Sequence, residues 1–319
     1  MTQGRGASVG DYRAPLFLAW QLTNHCSCRC LHCCEESGPD KRWSDEMSRE
    51  QALSLTRQIV ENGVAYVTFG GGEPLGVPHV WEIFETLHTG GVEIKIETNG
   101  LLIDDRAADR LKALGVAAIQ ISIDGATAGV HGKVRPEGSF EGALAALKRL
   151  SARGLEPELV FVPTRINIGD AEAVYDLAVE AGARVFVTGP MMRLGRAAAA
   201  WDHLAPTDEE WARCAEKLKS RAAAAKDAVK LSIYPWGIQR EIGVRREGAQ
   251  SMMLVVPNGK VKLLNALPFA PADMKKDTLI AAWEAVQAAW ANPKVLEFTA
   301  NAAKDASLLR HANECWDLN

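Results

Sequence analysis

Residues 16–34 read LFLAWQLTNHCSCRCLHCC, a short apolar run that passes directly into a loop crowded with thiols. Leu16–Gln21 has the length and composition of a buried strand. Five of the seven cysteines fall between Cys26 and Cys34, and only Cys214 and Cys315 lie elsewhere. α/β barrels and open α/β sheets place their ligand sites at the carboxyl ends of strands, so a thiol-rich loop just after the first strand sets the frame for the rest of the chain.

Outward from this stretch the same texture repeats. Further strand candidates are Tyr66–Phe69, Glu93–Thr98, Ala118–Ile123, Glu158–Pro163 and Arg184–Thr188. Between them the spacing predicts amphipathic helices near Ser48–Asn62, His79–Thr89, Asp104–Leu114, Phe140–Arg153 and Asp170–Ala181. Several end at a glycine, namely Gly63, Gly90, Gly115, Gly154 and Gly182, the residue that most readily terminates a helix. Strand–helix alternation of this kind implies parallel βαβ units. Six units make either a partial (β/α) barrel or an open doubly wound sheet, and periodicity does not choose between them.

After Arg196 the texture changes. A long Ala/Lys/Glu-rich helix is expected over Thr207–Ala228, then a strand, Leu231–Trp236. Met252–Val256 and Lys260–Leu264, joined by Pro257-Asn258-Gly259, carry a hairpin signal. Helix is expected from about Asp277 onward. This places a soft boundary near residue 200, with one domain over 14–200 and a second over 201–319.

Composition fits a globular chain with a sizeable core: 47% hydrophobic and 24% charged over 319 residues, net charge −4. Without a basic excess, neither nucleic acid nor an anionic membrane is expected as a partner. The N-terminal MTQGRGASVGDYRA lacks the apolar core of a signal peptide. Ala14–Leu22 is too short to span a bilayer. A cytoplasmic protein is therefore expected, and cytosolic clustered cysteines suggest metal binding or catalysis.

Cys26-x3-Cys30-x2-Cys33 can wrap three thiolates around three irons of a cubane and leave the fourth iron open. A four-thiolate zinc site that adds Cys28 or Cys34 is the concrete rival. The three-cysteine spacing resembles that of the radical S-adenosylmethionine (SAM) superfamily, in the branch that includes molybdenum-cofactor and peptide-modifying proteins. The resemblance implies one 4Fe–4S cluster on Cys26, Cys30 and Cys33, with SAM as the second cofactor. Cys28 and Cys34 stand outside the pattern and read as loop thiols.

Four further features follow in order, each at the end of a predicted strand. Gly71-Gly72-Glu73-Pro74 resembles the segment that receives the SAM amino group, where glycine allows close backbone approach. Thr98-Asn99-Gly100 follows the third strand. Ser122-Ile123-Asp124-Gly125 precedes His131 and Arg135. By resemblance, Ser122 and Asp124 lie near the SAM ribose or carboxylate, and Arg135 pairs with that carboxylate. Gly189-Pro190 and Gly195-Arg196-Ala197 resemble the loop that contacts the adenine end. His32 occupies the position where the family usually has an aromatic residue near adenine. Singly each could be an ordinary turn; together, and in register with six βα units, they favour a partial (β/α)6 TIM-like barrel with a small α+β C-terminal cap.

The hairpin from Met253 to Pro268 resembles the SPASM or twitch extension, whose cysteines usually bind auxiliary clusters. Asn265 stands about where one cysteine is expected, and Arg246-Glu247-Gly248 where another would lie. Cys315 alone remains downstream, too little for a further cluster. Tyr234-Pro235-Trp236 and Gln239-Arg240-Glu241 read as pocket residues; Trp201, Trp211, Trp283 and Trp290 read as helix-packing residues. Few residues precede the first strand, so no N-terminal leader-recognition domain is expected.

The resemblance implies an enzyme. An external one-electron donor, such as a flavodoxin or ferredoxin, reduces the cluster, and SAM yields a 5′-deoxyadenosyl radical that abstracts hydrogen from a small-molecule or peptide substrate. Epimerisation, elimination, decarboxylation or rearrangement in natural-product or cofactor biosynthesis is expected. Without auxiliary cysteines the substrate radical is expected to end without electron transfer to a second cluster. Cys315, then Cys214, are the candidate catalytic thiols for hydrogen return. The alternative is a non-catalytic iron–sulfur or zinc-binding scaffold.

Overall fold

The computed structural model describes residues 12–318. The N-terminal stretch read above for a targeting signal lies, up to residue 11, outside them.

Six βα units form as the periodicity implied. Strand β1 (Phe17–Thr23) leads to α1 (Arg49–Glu61), then β2 (Tyr66–Gly71), α2 (Val80–Thr89), β3 (Glu93–Thr98) and α3 (Asp105–Ala113). There follow β4 (Ala118–Ser122), α4 (Ala128–Val134), α5 (Phe140–Ser151), β5 (Glu158–Phe161), α6 (Ala171–Glu180) and β6 (Val185–Thr188). Neighbours β1 to β6 pair in parallel and in sequence order. The sheet does not close on itself: its order is β11-β9-β8-β1-β2-β3-β4-β5-β6-β7.

Local chemistry fixes the helix ends. Ser48 caps α1 in a reciprocal box with Gln51, while Asp104 and Ser139 cap α3 and α5. After α2 the left-handed residue is Gly91 (φ 74°), not Gly90. Gly90 is required for another reason: a Cβ there would meet the Val60 methyls at 2.5 Å. α4 was not anticipated. It has seven residues, two of them glycine, and so shows no apolar stripe; its one local signal is the Thr127 N-cap.

Beyond residue 194 come α7 (Gly195–Ala199), α8 (Trp201–Leu204), α9 (Asp208–Ala224), β7 (Lys230–Ile233) and α10 (Ile238–Glu247). The chain ends with β8 (Met252–Val255), β9 (Lys260–Lys262), β10 (Phe269–Ala270), β11 (Ala272–Asp273), α11 (Leu279–Ala289), α12 (Pro293–Ala302) and β12 (Trp316–Asp317). α9 stops four residues earlier than expected, because Lys226 and Asp227 adopt left-handed φ values of 55° and 51°. β7 stops before Pro235, which cannot donate to a ladder. Strands from both sides of residue 200 join one sheet: β7 pairs with β6, and β8 pairs in parallel with β1.

Burial alternates along the strands. Leu18, Trp20, Val67, Phe69, Ile94, Ile96, Ile119 and Ile121 lie in the core, while Gln21, Thr68, Lys95 and Glu97 face the other way and stay more accessible. Period-two alternation thus gives the inner face a polar character, including the Gln120 side-chain amide on Glu158 at 2.6 Å.

Candidate active site

The thiol loop leaves β1 through a fixed knot. Thr23 Oγ1 and the backbone N–H of Asn24 donate to the Glu46 carboxylate, and Ser37 Oγ donates to Asn24 Oδ1 at 2.8 Å. Gly72 N–H donates to the Thr23 carbonyl and Glu73 N–H to that of His25. Glu46 escaped the sequence reading because it lies 22 residues beyond Asn24 with no motif around it.

Within the loop the Cys28 N–H donates to Cys26 Sγ at 3.4 Å, and hydrogen bonding from Cys28 is the main influence lowering the Cys26 thiol below its usual range. Cys30 is lowered to about 5 by Cys28 first, against burial, with Arg135 assisting. Burial pushes Cys33 up to about 11. All seven cysteines are free. Among the described residues no three ligating side chains converge on a point as they would for a single ion.

Behind Cys30 lies a buried ionic cluster. Arg135 donates from Nε to Asp124 at 2.6 Å and from Nη1 to Cys30 Sγ at 3.4 Å. His32 Nε2 lies 3.3 Å from the same Asp124 carboxylate. Burial works against charge on Asp124, yet Arg135 and then His32 outweigh it and hold the carboxyl below the usual range. Asp124 also accepts from the Val162 N–H at 2.8 Å. Asn167, unnoticed in the sequence, donates to the carbonyls of Asp124 and Val162; a polar residue soon after a strand end was its only signal. Arg135 is therefore committed to Asp124 and Cys30, and any pairing with a SAM carboxylate would compete with them.

The glycine–glutamate turn has a packing role of its own. A Cβ on Gly72 would lie 2.0 Å from the His25 carbonyl oxygen, so this glycine lets the thiol loop itself approach. Glu73 is buried and accepts from Thr98 Oγ1, Leu75 N–H and Asn99 N–H. It ties the end of β2 to the end of β3. Asn99 in turn directs Nδ2 to Ser27 Oγ at 3.2 Å and lies 3.8 Å from Cys26 Sγ. Ser122 ends β4, half-buried.

On the opposite side Arg196 grips the loop backbone. Its N–H donates to the Cys33 carbonyl, Nε to that of Cys30 and Nη2 to that of Ser37. Gly195 lies so close that a Cβ would be 2.3 Å from the Cys34 carbonyl oxygen, and a Cβ on Gly189 would strike the Tyr234 side chain. Cys214 sits in the core, 4% exposed, on the helix α9 that packs against α6, where burial pushes its thiol up to about 11. It fills space as a small apolar side chain, and the geometry does not bring it to the thiol loop. Cys315 is half-buried near the Lys260 and Lys262 ammonium groups.

The donor set suits an iron–sulfur cluster. Three free thiols share one loop, and N–H donors reach two of their sulfurs, an influence that tunes such clusters. Beside Cys30, His32 Nδ1 is buried without a partner among the described residues, a polar edge available to a bound molecule. A cavity of about 440 Å³ opens beside the ends of β5, β6 and β7. Gln239 and Arg240 line it as expected, but so do Trp201 and Trp211, which the sequence assigned to helix packing.

A sequence model of the family described as the Radical SAM superfamily matches residues 20–178. The chain is 38% identical over 195 residues to the mycofactocin maturase MftC of Mycobacterium ulcerans, spanning 61% of this chain and 52% of that protein. It spans about half the length of the mycofactocin maturases it matches. Over 291 residues it is 26% identical to the AdoMet-dependent heme synthase of Methanosarcina barkeri, covering 85% of this chain and 82% of that one. In fold it resembles Streptococcus suis SuiB bound to S-adenosylmethionine, with a TM-score of 0.72 at 13% identity over 90% of this chain and 68% of SuiB. SuiB has also been solved bound to precursor peptide SuiA. The partial-barrel architecture is shared with these structures, and among the described residues no helix is long and apolar enough to cross a membrane.

Proposed function

The chain belongs to the radical SAM superfamily, and from that premise we propose that it is a maturation enzyme working on a peptide or small-molecule substrate with one 4Fe–4S cluster. Cys26, Cys30 and Cys33 would hold the cluster. When bound, the cluster and SAM would supply one-electron cleavage of SAM and, through it, the means of taking a hydrogen atom from the substrate. The observation that carries the reading is the Arg135 guanidinium, buried between Asp124 and the Cys30 sulfur. A charge placed there at a desolvation cost serves the sulfur's environment better than it serves stability.

The chain's own residues divide the remaining work. Arg196 and Gly195 fix the loop backbone, Glu73 and Asn99 join the strand ends beside Cys26, and His32 offers Nδ1 to the bound cofactor. The maturase relatives and the peptide-bound fold neighbour support a peptide substrate; the heme synthase likeness supports a small molecule in cofactor biosynthesis. Cys315 is the candidate hydrogen donor to the substrate radical. Its S–H bond would break and a C–H bond form, and the thiyl radical left behind would take one electron from the external donor and a proton from water.

The test is anaerobic reconstitution followed by reduction with SAM. Formation of 5′-deoxyadenosine with about four irons per chain supports the reading. Zinc bound in place of iron, with no 5′-deoxyadenosine, would establish the scaffold alternative.

A further inference from the structure

The thiol loop is held from a direction that no motif in it announces. Asn313 donates from Nδ2 to the Cys34 carbonyl at 2.8 Å and lies 3.0 Å from Glu36 Oε2. Asn265 donates to Glu35 Oε1 at 3.1 Å. Lys262, only 2% exposed, donates from Nζ to the carbonyls of Asn265 and Ala312. The C-terminal segment and the β8–β9 hairpin region are thereby tied to each other and to the residues that directly follow Cys33.

Two further features bear on this grip. Glu36 has φ 55°, a left-handed conformation that costs a non-glycine residue free energy and persists only where its surroundings impose it. Its carboxylate is one of the two groups that Asn313 holds. The segment itself is firmly seated: β12 pairs with β10, Trp316 N–H donates to the Pro268 carbonyl at 2.7 Å, and Lys260 Nζ reaches Asp317 at 2.6 Å. The Trp316 ring packs edge-on against Phe269 and Phe298. Cys34 is thus caught between Gly195 on one side and Asn313 on the other.

We infer that residues 312–317 form a strap that positions the cluster loop, with Asn313 as its positioning residue acting through the Cys34 carbonyl and the Glu36 carboxylate. This rests on the reading of Cys26, Cys30 and Cys33 as cluster ligands. The strap sets the backbone just after Cys33, so releasing it alters the third ligand's orientation without removing any of the three thiols.

The experiment compares reconstituted wild type, Asn313→Ala and the double variant Asn313→Ala/Glu36→Gly. Three properties are read: the half-life of cluster absorption under an iron chelator, the reduction potential, and the electron paramagnetic resonance spectrum with and without SAM. Loss of these hydrogen bonds in Asn313→Ala should shorten the half-life about five- to tenfold, the equivalent of a net hydrogen bond or so, and shift the spectrum. Glycine adopts φ near 55° without penalty, so the double variant should regain much of the lifetime. Arg310→Ala, an exposed change just before the strap, should behave as wild type. A wild-type half-life and spectrum in Asn313→Ala would overturn the strap, as would a double variant no better than the single one. If Asn313→Ala fails to fold, Asn313→Asp, which sets a carboxylate against Glu36, must reproduce the shortened half-life or the strap is rejected. Wild type that binds no iron would instead overturn the cluster reading itself.

Discussion

Arg135 points its Nη1 at the sulfur of Cys30 from 3.4 Å, although 105 residues separate the two in the chain. The same guanidinium binds Asp124, which is fully buried. A motif residue at the end of one strand is thereby coupled to a thiol at the end of another.

Removing Arg135 alone leaves the Asp124 carboxylate buried without its main partner. Arg135→Ala should lower the stability of the cluster-free protein by about 3–5 kcal/mol, the usual consequence of breaking a buried ion pair. Asp124→Asn/Arg135→Gln should recover part of that loss. Urea unfolding curves of wild type, Asp124→Asn, Arg135→Gln and the double variant complete the cycle, and strictly additive single losses would contradict the pairing.

Cys26→Ala, Cys30→Ala and Cys33→Ala should each abolish iron binding and SAM cleavage. Cys28→Ala and Cys34→Ala should retain most of both, because the bond from Cys28 to Cys26 Sγ comes from its backbone N–H, which the substitution keeps. Iron analysis decides. Loss of iron in Cys28→Ala with retention in Cys26→Ala would overturn the ligand assignment.

Gly72→Val should reduce iron content as well as SAM affinity. Its first side-chain carbon would be 2.0 Å from the His25 carbonyl oxygen, one residue before Cys26, so the loop must move. A variant with full iron and weakened SAM binding would mean that the glycine serves ligand access only.

Acid should destabilise the protein through His131. The buried ring accepts the Asp124 N–H on Nδ1, and burial first, then Arg135, lowers its value from 6.5 to about 4, with Asp124 and Glu141 opposing. The unfolded chain therefore binds the proton more readily between these values. Stability is full above about pH 6.5 and falls as pH drops toward 4, by up to about 2–3 kcal/mol. Urea midpoints at pH 7 and pH 5 for wild type and His131→Gln test this; the variant should show the flatter dependence.

Cys315→Ala should leave 5′-deoxyadenosine formation intact while lowering solvent deuterium at the product carbon in heavy water. Mass spectrometry of the product reads the label. Undiminished label in Cys315→Ala would remove this thiol as hydrogen donor.

The sequence by itself determined the six βα units, because period-two and period-3.6 burial and helix caps are local properties. It also determined the thiol loop and its place after β1, because strand length and cysteine spacing need no partner to be read. Periodicity left open whether the sheet would be a doubly wound array or a barrel segment, since strand order depends on how helices pack, and it was the ordered strand-end motifs that favoured the barrel. Short α4 stayed hidden because two glycines erase its stripe. What only the tertiary structure decided is the work done by the polar residues around the loop. Arg135 supports Cys30, Arg196 grips backbone carbonyls, Glu73 joins strand ends, and Gly72 admits the loop. Asn313 looked like an ordinary polar residue far from any motif, and Lys262 like an ordinary polar residue of the hairpin. Each acquires its role from a partner between about 25 and 280 residues away, and the burial that makes such hydrogen bonds consequential exists only once the chain has folded.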